Sequence, residues 1–373
     1  MRLFKEGGPA FGRWVHTSDC RGALERYSRM LFYSPFADAC VRGGYRGALS
    51  YHDAQAIYPV DIKRRKGDSK RIRSTRRLLR RWILRDARGR PLYVPFDCAK
   101  GRCPQYAADI GNPRFRARLI GRVRRVMARG YRGVFLDDVN FNLNVSDGRG
   151  RPRVPIDPRT SRPMLLDDWR RYMADFVIEV RRAIGDRELT VNSVWWRGEN
   201  SLDDPIVARG VTAATHFHME RGTADTSRGR PYEGLLAYAD RLHALGVGVN
   251  LDGSSSRSRR EAEFELGTYF LTSTGADTVS ADYGACPDNR EGSPCEEPFW
   301  RGYNVRLGAP LAARALRPDG LLERRFGRGM VLVNPPGAPR RQADLAGLSF
   351  DLDGNLRIST SLEGGEAAIL TQP

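Results

Sequence analysis

The chain has 373 residues, 40% of them hydrophobic and six of them tryptophan, a composition that fills a large core and excludes a disordered or low-complexity protein. No apolar run approaches the roughly 20 residues needed to cross a bilayer, and Met1-Arg-Leu-Phe-Lys-Glu-Gly-Gly8 lacks the apolar stretch of a secretory leader, so a leader is expected to be absent or already removed. The formal charge of +18 invites a polyanionic partner, yet the only lysines are Lys5, Lys63, Lys66, Lys70 and Lys100; such an arginine bias, with abundant Ala and Gly, reads in part as a GC-rich coding sequence, and no nucleic-acid partner is expected.

In chain order, an early strand is predicted near Gly12–His16 or Met30–Tyr33, followed by strands over Arg46–His52, Pro91–Pro95, Gly133–Leu136, Leu189–Val194, Ala213–His218, Val247–Leu251 and Asp277–Ser280. Between the second and third lies the basic run Lys63-Arg-Arg-Lys66 and Lys70 to Arg81. It reads either as a patch for polyanions or, preferably, as a solvated helix face. Helices are predicted from Asn112, an N-cap followed by Pro113 at the first turn, to Met127, from Leu166 to Ile184, and from Gly234 to Leu245. About eight strands, each handing over to a helical segment and returning parallel, predict an α/β chain folded as a (β/α)8 TIM barrel over residues 1–310. No Gly-rich phosphate loop marks the competing doubly wound sheet. From 311 to 373 the texture changes to short strands separated by Pro- and Gly-rich turns, which predicts a small C-terminal all-β domain.

The six cysteines fall in three local couples, Cys20 with Cys40, Cys98 with Cys103 and Cys286 with Cys295, and predict loop-closing disulfides in an oxidising, secreted or cell-surface location. No paired Cys-x2-Cys exists and His216-Phe-His218 is the one close histidine pair, so neither a metal nor any other cofactor is expected.

Chemistry is predicted at the C-terminal ends of the strands, where a barrel carries its active site. The apolar run Val134-Phe-Leu136 ends abruptly in Asp137 and Asp138. Adjacent residues of a strand point to opposite faces, so these two cannot easily form the opposed carboxylates of a glycosidase. Glu220, which closes the strand ending at His218, is the expected partner; its bland alternative is simple pairing with an arginine such as Arg221. Other strand ends repeat a polar or aromatic pattern: Tyr51 and His52, with Asp53; Asp97; Asn192 with Trp195 and Trp196; His218; Asp252; Asp282. Flat rings beside carboxylates and amides suit sugars, so these residues are expected to bind a poly- or oligosaccharide, and the arginine excess raises the expectation of an anionic one.

The series Asp109-Ile-Gly-Asn-Pro113, Gly130-Tyr-Arg-Gly-Val-Phe-Leu-Asp-Asp-Val139, Val191-Asn-Ser193, the Glu220 strand and Arg325 to Pro335 resembles the "hypothetical glycosyl hydrolase family 15" and, more remotely, is similar to the endo-α-1,4-polygalactosaminidases. The resemblance runs over residues 45 to 370 and implies a (β/α)8 barrel with a C-terminal β-domain and glycosidic-bond hydrolysis. It assigns a catalytic carboxylate to Asp137, by the motif Gly-x-Asp-Gly-x-x-Leu-Asp-Asn, and matches the acidic residue ending the sixth strand to Glu220. Arg132 departs from that motif, which has Asp there. The alternatives are a glycan-binding barrel without activity and a polyanion-binding surface protein.

Overall fold

The computed structural model describes residues 1, 3–7, 27–32, 41–63, 66, 68–98, 103–226, 230–253, 258–280 and 300–372. In chain order its first elements are β1 (Leu3–Gly7), β2 (Arg29–Phe32), β3 (Ala48–Asp53), α1 (Lys70–Arg81), α2 (Pro113–Met127), β4 (Gly133–Asp137), α3 (Leu166–Ile184), β5 (Glu188–Asn192) and α4 (Pro205–Val211). There follow β6 (His216–Met219), α5 (Tyr232–Ala244), β7 (Gly248–Leu251), α6 (Arg259–Thr272) and β8 (Thr278–Ser280). The C-terminal strands are β9 (Ala315–Leu316), β10 (Leu322–Phe326), β11 (Gly329–Asn334), β12 (Arg341–Phe350), β13 (Leu356–Leu362) and β14 (Glu366–Thr371). The chain divides into two compact units, Met1–Ser50 with Thr215–Pro373, and Tyr51–Ala214.

In the first unit, β6, β7, β8, β1, β2 and the start of β3 pair in that order, all parallel, as a curled sheet. β2, β6, β7 and β8 are buried throughout, as a parallel sheet covered on both faces requires. Their short, almost unbroken apolar runs follow from that. Register brings His218 opposite Asn250 and Asn250 opposite Thr278, and these polar side chains satisfy one another inside the sheet: Thr278 Oγ1 donates to Asn250 Oδ1 at 2.7 Å, and Asn250 Nδ2 donates to His218 Nδ1.

The same unit carries the antiparallel sheet, ordered β9-β10-β11-β14-β12-β13. Leu321, Met330, Leu332, Ala343, Leu362 and Leu370 form its own small core. α6 packs against β11 and β14, and Gly267 permits the approach: a Cβ there would stand 2.5 Å from the Ala367 Cβ. Arg324 of β10 donates to the carbonyls of Phe270, Leu271 and Ser273, closing the C-terminus of α6 with a cation where the helix dipole favours one.

The second unit is built on a β-α-β turn, β4-α3-β5, with β4 and β5 parallel and Val134 opposite Leu189. Gly133 lets the strands close up, since a Cβ there would stand 2.1 Å from the Glu188 carbonyl oxygen. Arg132, the departure from the family motif, donates to Glu188 Oε2 at 2.7 Å and so ties the same strand start. α2 begins as its sequence predicts: Asn112 Oδ1 accepts from the amides of Arg114 and Phe115 at 3.0 and 3.4 Å, ahead of Pro113. Phe115, Leu119, Val123, Val126 and Met127 form its buried stripe.

Three differences from the predicted elements matter. Pro91–Pro95 is no sheet strand: Pro91 and Tyr93 make isolated antiparallel bridges to Arg85, Tyr106 and Ser146, because prolines at both ends lack the N–H a parallel ladder needs. A strand does form at Leu3–Gly7, where none was expected, and of the two early alternatives Met30–Tyr33 corresponds to β2, while Gly12–His16 lies outside the described residues. α1, α4 and α6 add helices, and α1 gives the basic run the helical form expected of a solvated face.

Candidate active site

β4 delivers Asp137. Phe135 and Asp137 share one face of the strand, and the Tyr51 ring, from β3, stacks on Phe135 with centroids 6.3 Å apart and planes 16° from parallel. That stacking fixes the Tyr51 hydroxyl where it donates to Asp137 Oδ2 at 2.6 Å. The other carboxylate oxygen accepts from Asn192 Nδ2, at the end of β5, at 2.9 Å and from the Asp138 amide at 2.8 Å. Both oxygens of Asp137 are therefore held by donors, and the group is oriented before any ligand arrives. Burial, the Asp137 charge and the Asp53 charge push the Tyr51 phenol far up, so it remains a donor throughout the working pH range.

Asp53 closes β3 on the same face as Tyr51. It is 7% exposed, with Oδ1 accepting from the amides of Gln55 and Ala56 at 2.9 and 2.7 Å, and Oδ2 from the Tyr58 hydroxyl at 3.4 Å. Burial first, and the Asp137 charge second, push its carboxyl up to about 7. The sequence marks Asp53 as a strand-end residue; its burial beside a second carboxylate emerges only in three dimensions.

Asp138 turns the chain away from β4 with φ 54°, a left-handed conformation that Asp tolerates better than most side chains. Asn140 Nδ2 donates to Asp138 Oδ1 at 3.0 Å, while Asn140 Oδ1 accepts from the Val194 amide at 2.9 Å and its carbonyl from Trp169 Nε1 at 2.9 Å. Asn200 Oδ1 takes the amides of Phe141 and Asn142 at 2.8 and 3.0 Å, and its Nδ2 reaches the Val194 carbonyl at 2.9 Å. The loop after β4 is thus pinned to the segment after β5. The asparagine-rich run Asn140-Phe-Asn-Leu-Asn144 was the available signal for this bracing.

Of the other expected site residues in this unit, His52 points to the opposite face from Tyr51 and Asp53. It is buried beside Arg122 of α2, and burial together with the Arg122 charge lowers its imidazole to about 4. Trp195 is buried, edge-on to half-buried Trp196 at 5.6 Å. Asp97 sits exposed, at φ 44°, immediately before the disulfide-bonded Cys98 rather than at a sheet strand end.

In the first unit, Glu220 is half-buried directly after β6. His218 is 1% exposed and held by Asn250, with its Nε2 3.9 Å from Asp252 Oδ2; Asp252, after β7, also accepts from the Arg221 amide at 3.1 Å. Asp282, Cys20, Cys40, Cys286 and Cys295 lie outside the described residues. Among the described residues no group of three or more His, Cys, Asp or Glu side chains is placed to hold a metal ion, and no helix is long and apolar enough to cross a membrane.

An α/β chain with a curled parallel sheet, a separate antiparallel sheet and acidic strand ends has parallels among solved structures. The fold is similar to that of an α-amylase from Lactobacillus plantarum, at TM-score 0.56 and 13% identity over 100% of this chain and 99% of that one. It is also similar to an α-amylase from Malbranchea cinnamomea, at TM-score 0.51 and 8% identity over 100% and 96%. The glycoside hydrolase domain of PelA from Pseudomonas aeruginosa aligns over 74% of this chain and 93% of its own, at 16% identity and TM-score 0.42. At such identities the likeness shows the fold alone. No protein-family profile matches the chain, and no curated protein matches it.

Proposed function

We propose that the protein is a glycoside hydrolase that cleaves a poly- or oligosaccharide, with Asp137 as nucleophile or electrostatic stabiliser and Glu220 as general acid/base. The observation that carries this reading is Asp137 itself, a carboxylate at the end of a parallel strand, held on both oxygens by Tyr51, Asn192 and the Asp138 amide. Such a carboxylate meets a developing oxocarbenium ion with no reorganisation. Glu220 directly follows β6, and Asp137 is the last residue of β4, which supports the pairing. The fold likeness to two α-amylases over the full chain length supports closure of the eight parallel strands into a (β/α)8 barrel up to about residue 310, with the β-domain following from 311, and the activity named for those neighbours supports the chemistry.

Asn192, Asp138 and Trp196 line the substrate near Asp137 in this reading, and Asp252 serves it from the first unit. The reaction needs no cofactor. The Cys98–Cys103 disulfide supports an oxidising, secreted or surface location. An anionic polymer is favoured by the exposed arginines of α1, and its turnover then falls steeply between low and physiological salt.

The test is digestion of a panel of neutral, anionic and amino-sugar polymers, read as new reducing ends, with Glu220→Gln in parallel. The variant should lose turnover most strongly on substrates with poor leaving groups, where acid assistance matters most. A panel with no cleavage by the wild-type chain, or a fully active variant, contradicts the reading.

A further inference from the structure

The basic helix α1 borders two concavities whose arginines take no part in the carboxylate chemistry proposed for Asp137 and Glu220. In the second unit α1 and α2 flank an open concavity of about 460 Å3, with Arg71 and Arg76 on one side and Arg118 on the other. A smaller cavity of about 120 Å3 carries His52, Arg118 and Arg122 in its wall. Asp61, Leu79 and Arg118 line both, so the two share a partition.

The arginines around them are not equivalent. Arg76 pairs with Asp68 at 2.6 Å, and Arg80 donates to the Ile62 carbonyl at 2.6 Å, so these two brace α1 against the turn before it. Arg118 and Arg122 stand four apart on one face of α2, half-buried, and neither makes a hydrogen bond or ion pair among the described residues. Burial first and the Arg122 charge second lower the Arg118 guanidinium, with Asp61 opposing them. His52, held neutral at ordinary pH, adds a ring nitrogen without charge. Asp53, in the wall of the same cavity, accepts from the amides of Gln55 and Ala56. Two neighbouring guanidinium groups, partly desolvated and with no hydrogen bond or ion pair among the described residues, thus face concave space whose wall also carries the carboxylates of Asp61 and Asp53.

We propose that Arg118 and Arg122, with Arg71 at the outer rim, form a binding site for a small oxyanion of the phosphate or sulfate class. Guanidinium forks match the oxygens of such a group, and bidentate contact replaces the water lost on burial. The inner cavity equals about four water volumes, room for a compact tetrahedral group. The oxyanion is either free or carried on a sugar. The site stands whether or not Asp137 is catalytic.

Calorimetric titration of the full chain with inorganic phosphate, inorganic sulfate and glucose 6-phosphate, at ionic strength held constant with chloride, tests it. Saturable one-site binding is expected, weakened about tenfold or more in Arg118→Gln and in Arg122→Gln and unchanged in Arg77→Gln, an exposed residue of α1 outside both concavities. Glucose 6-phosphate binding tighter than phosphate assigns the group to a sugar; equal affinity assigns it to the free ion. Melting curves give a second readout: at low millimolar phosphate Tm rises above its value in chloride in the wild-type chain and not in Arg118→Gln, which separates a bound ion from the general stabilisation that phosphate salts give a fold. Absence of saturable heat for all three ligands, or of any Tm rise, or undiminished binding in both variants, overturns the proposal.

Discussion

At the scale of single residues, the acidic site rests on alternation along two short strands. Tyr51 and Asp53 share a face of β3, as Phe135 and Asp137 share a face of β4, and the stack of Tyr51 on Phe135 aims the hydroxyl at Asp137. Tyr51→Phe removes a hydrogen bond to an ionised group, an interaction worth about 1.5–3 kcal/mol, and keeps the stacked ring. The variant should fold normally and lose about tenfold or more in kcat/KM; an unchanged rate would show that Asp137 is held adequately by Asn192 and the backbone. Asp53 makes a separate prediction in stability. Its folded pKa of about 7 lies above the unfolded 3.8, so the folded state binds its proton more tightly and stability falls as pH rises from about 4 to about 7. Asp53→Asn cannot ionise. Its Tm should match the wild type near pH 4 and exceed it by a growing margin up to pH 7, levelling off above; a margin independent of pH would remove the buried-charge explanation. The sequence marked Asp137 because an apolar run ending in carboxylates is a local pattern. Placing His52 beside Tyr51 ignored the same alternation, which puts His52 on the helix side, and the 1% exposure of His218 reflects a cross-strand ladder with Asn250 and Thr278 that no local pattern announces.

Among the elements, legibility followed amphipathicity. α2 and α3 were legible because each has an N-terminal signal or a single apolar stripe. α6 was not, because it is buried nearly all round: Ala262 and Phe264 through Thr272 are all buried, with Glu265 and Thr268 among them, so no stripe contrasts with a solvent face. Pro91–Pro95 misled for the opposite reason, since its apolar residues are buried in irregular antiparallel bridges rather than in the sheet. The packing of α6 gives this scale its prediction. Gly267→Ala would bring a Cβ to 2.5 Å from the Ala367 Cβ, a contact relieved only by shifting helix or strand. Overpacking of this kind costs about 1–3 kcal/mol, partly offset by the better helix propensity of Ala. Urea denaturation should show a lower midpoint. A midpoint equal to or above the wild type would mean that α6 does not seat on β14 at this closeness.

For the molecule as a whole, the α/β character and the separate antiparallel sheet were visible because the alternation of buried strands and helices, and its replacement by closely spaced short strands, is written in short windows. The number and position of the first strands were not, since β1 is a polar-flanked five-residue segment that pairs only with distant partners, β8 and β2. Fold likeness to α-amylases at 13% and 8% identity shows how little sequence such an architecture retains, so activity has to be read from Asp137 and its donors. The most direct measurement is therefore the rate of reducing-end release by Asp137→Asn against the wild-type chain, on whichever polymer of the panel the wild type cleaves, with equal melting temperatures verifying that both are folded. The account predicts a loss of at least about a hundredfold, because Asn keeps the hydrogen-bonded shape and removes the charge. A folded Asp137→Asn that releases reducing ends at the wild-type rate would contradict it.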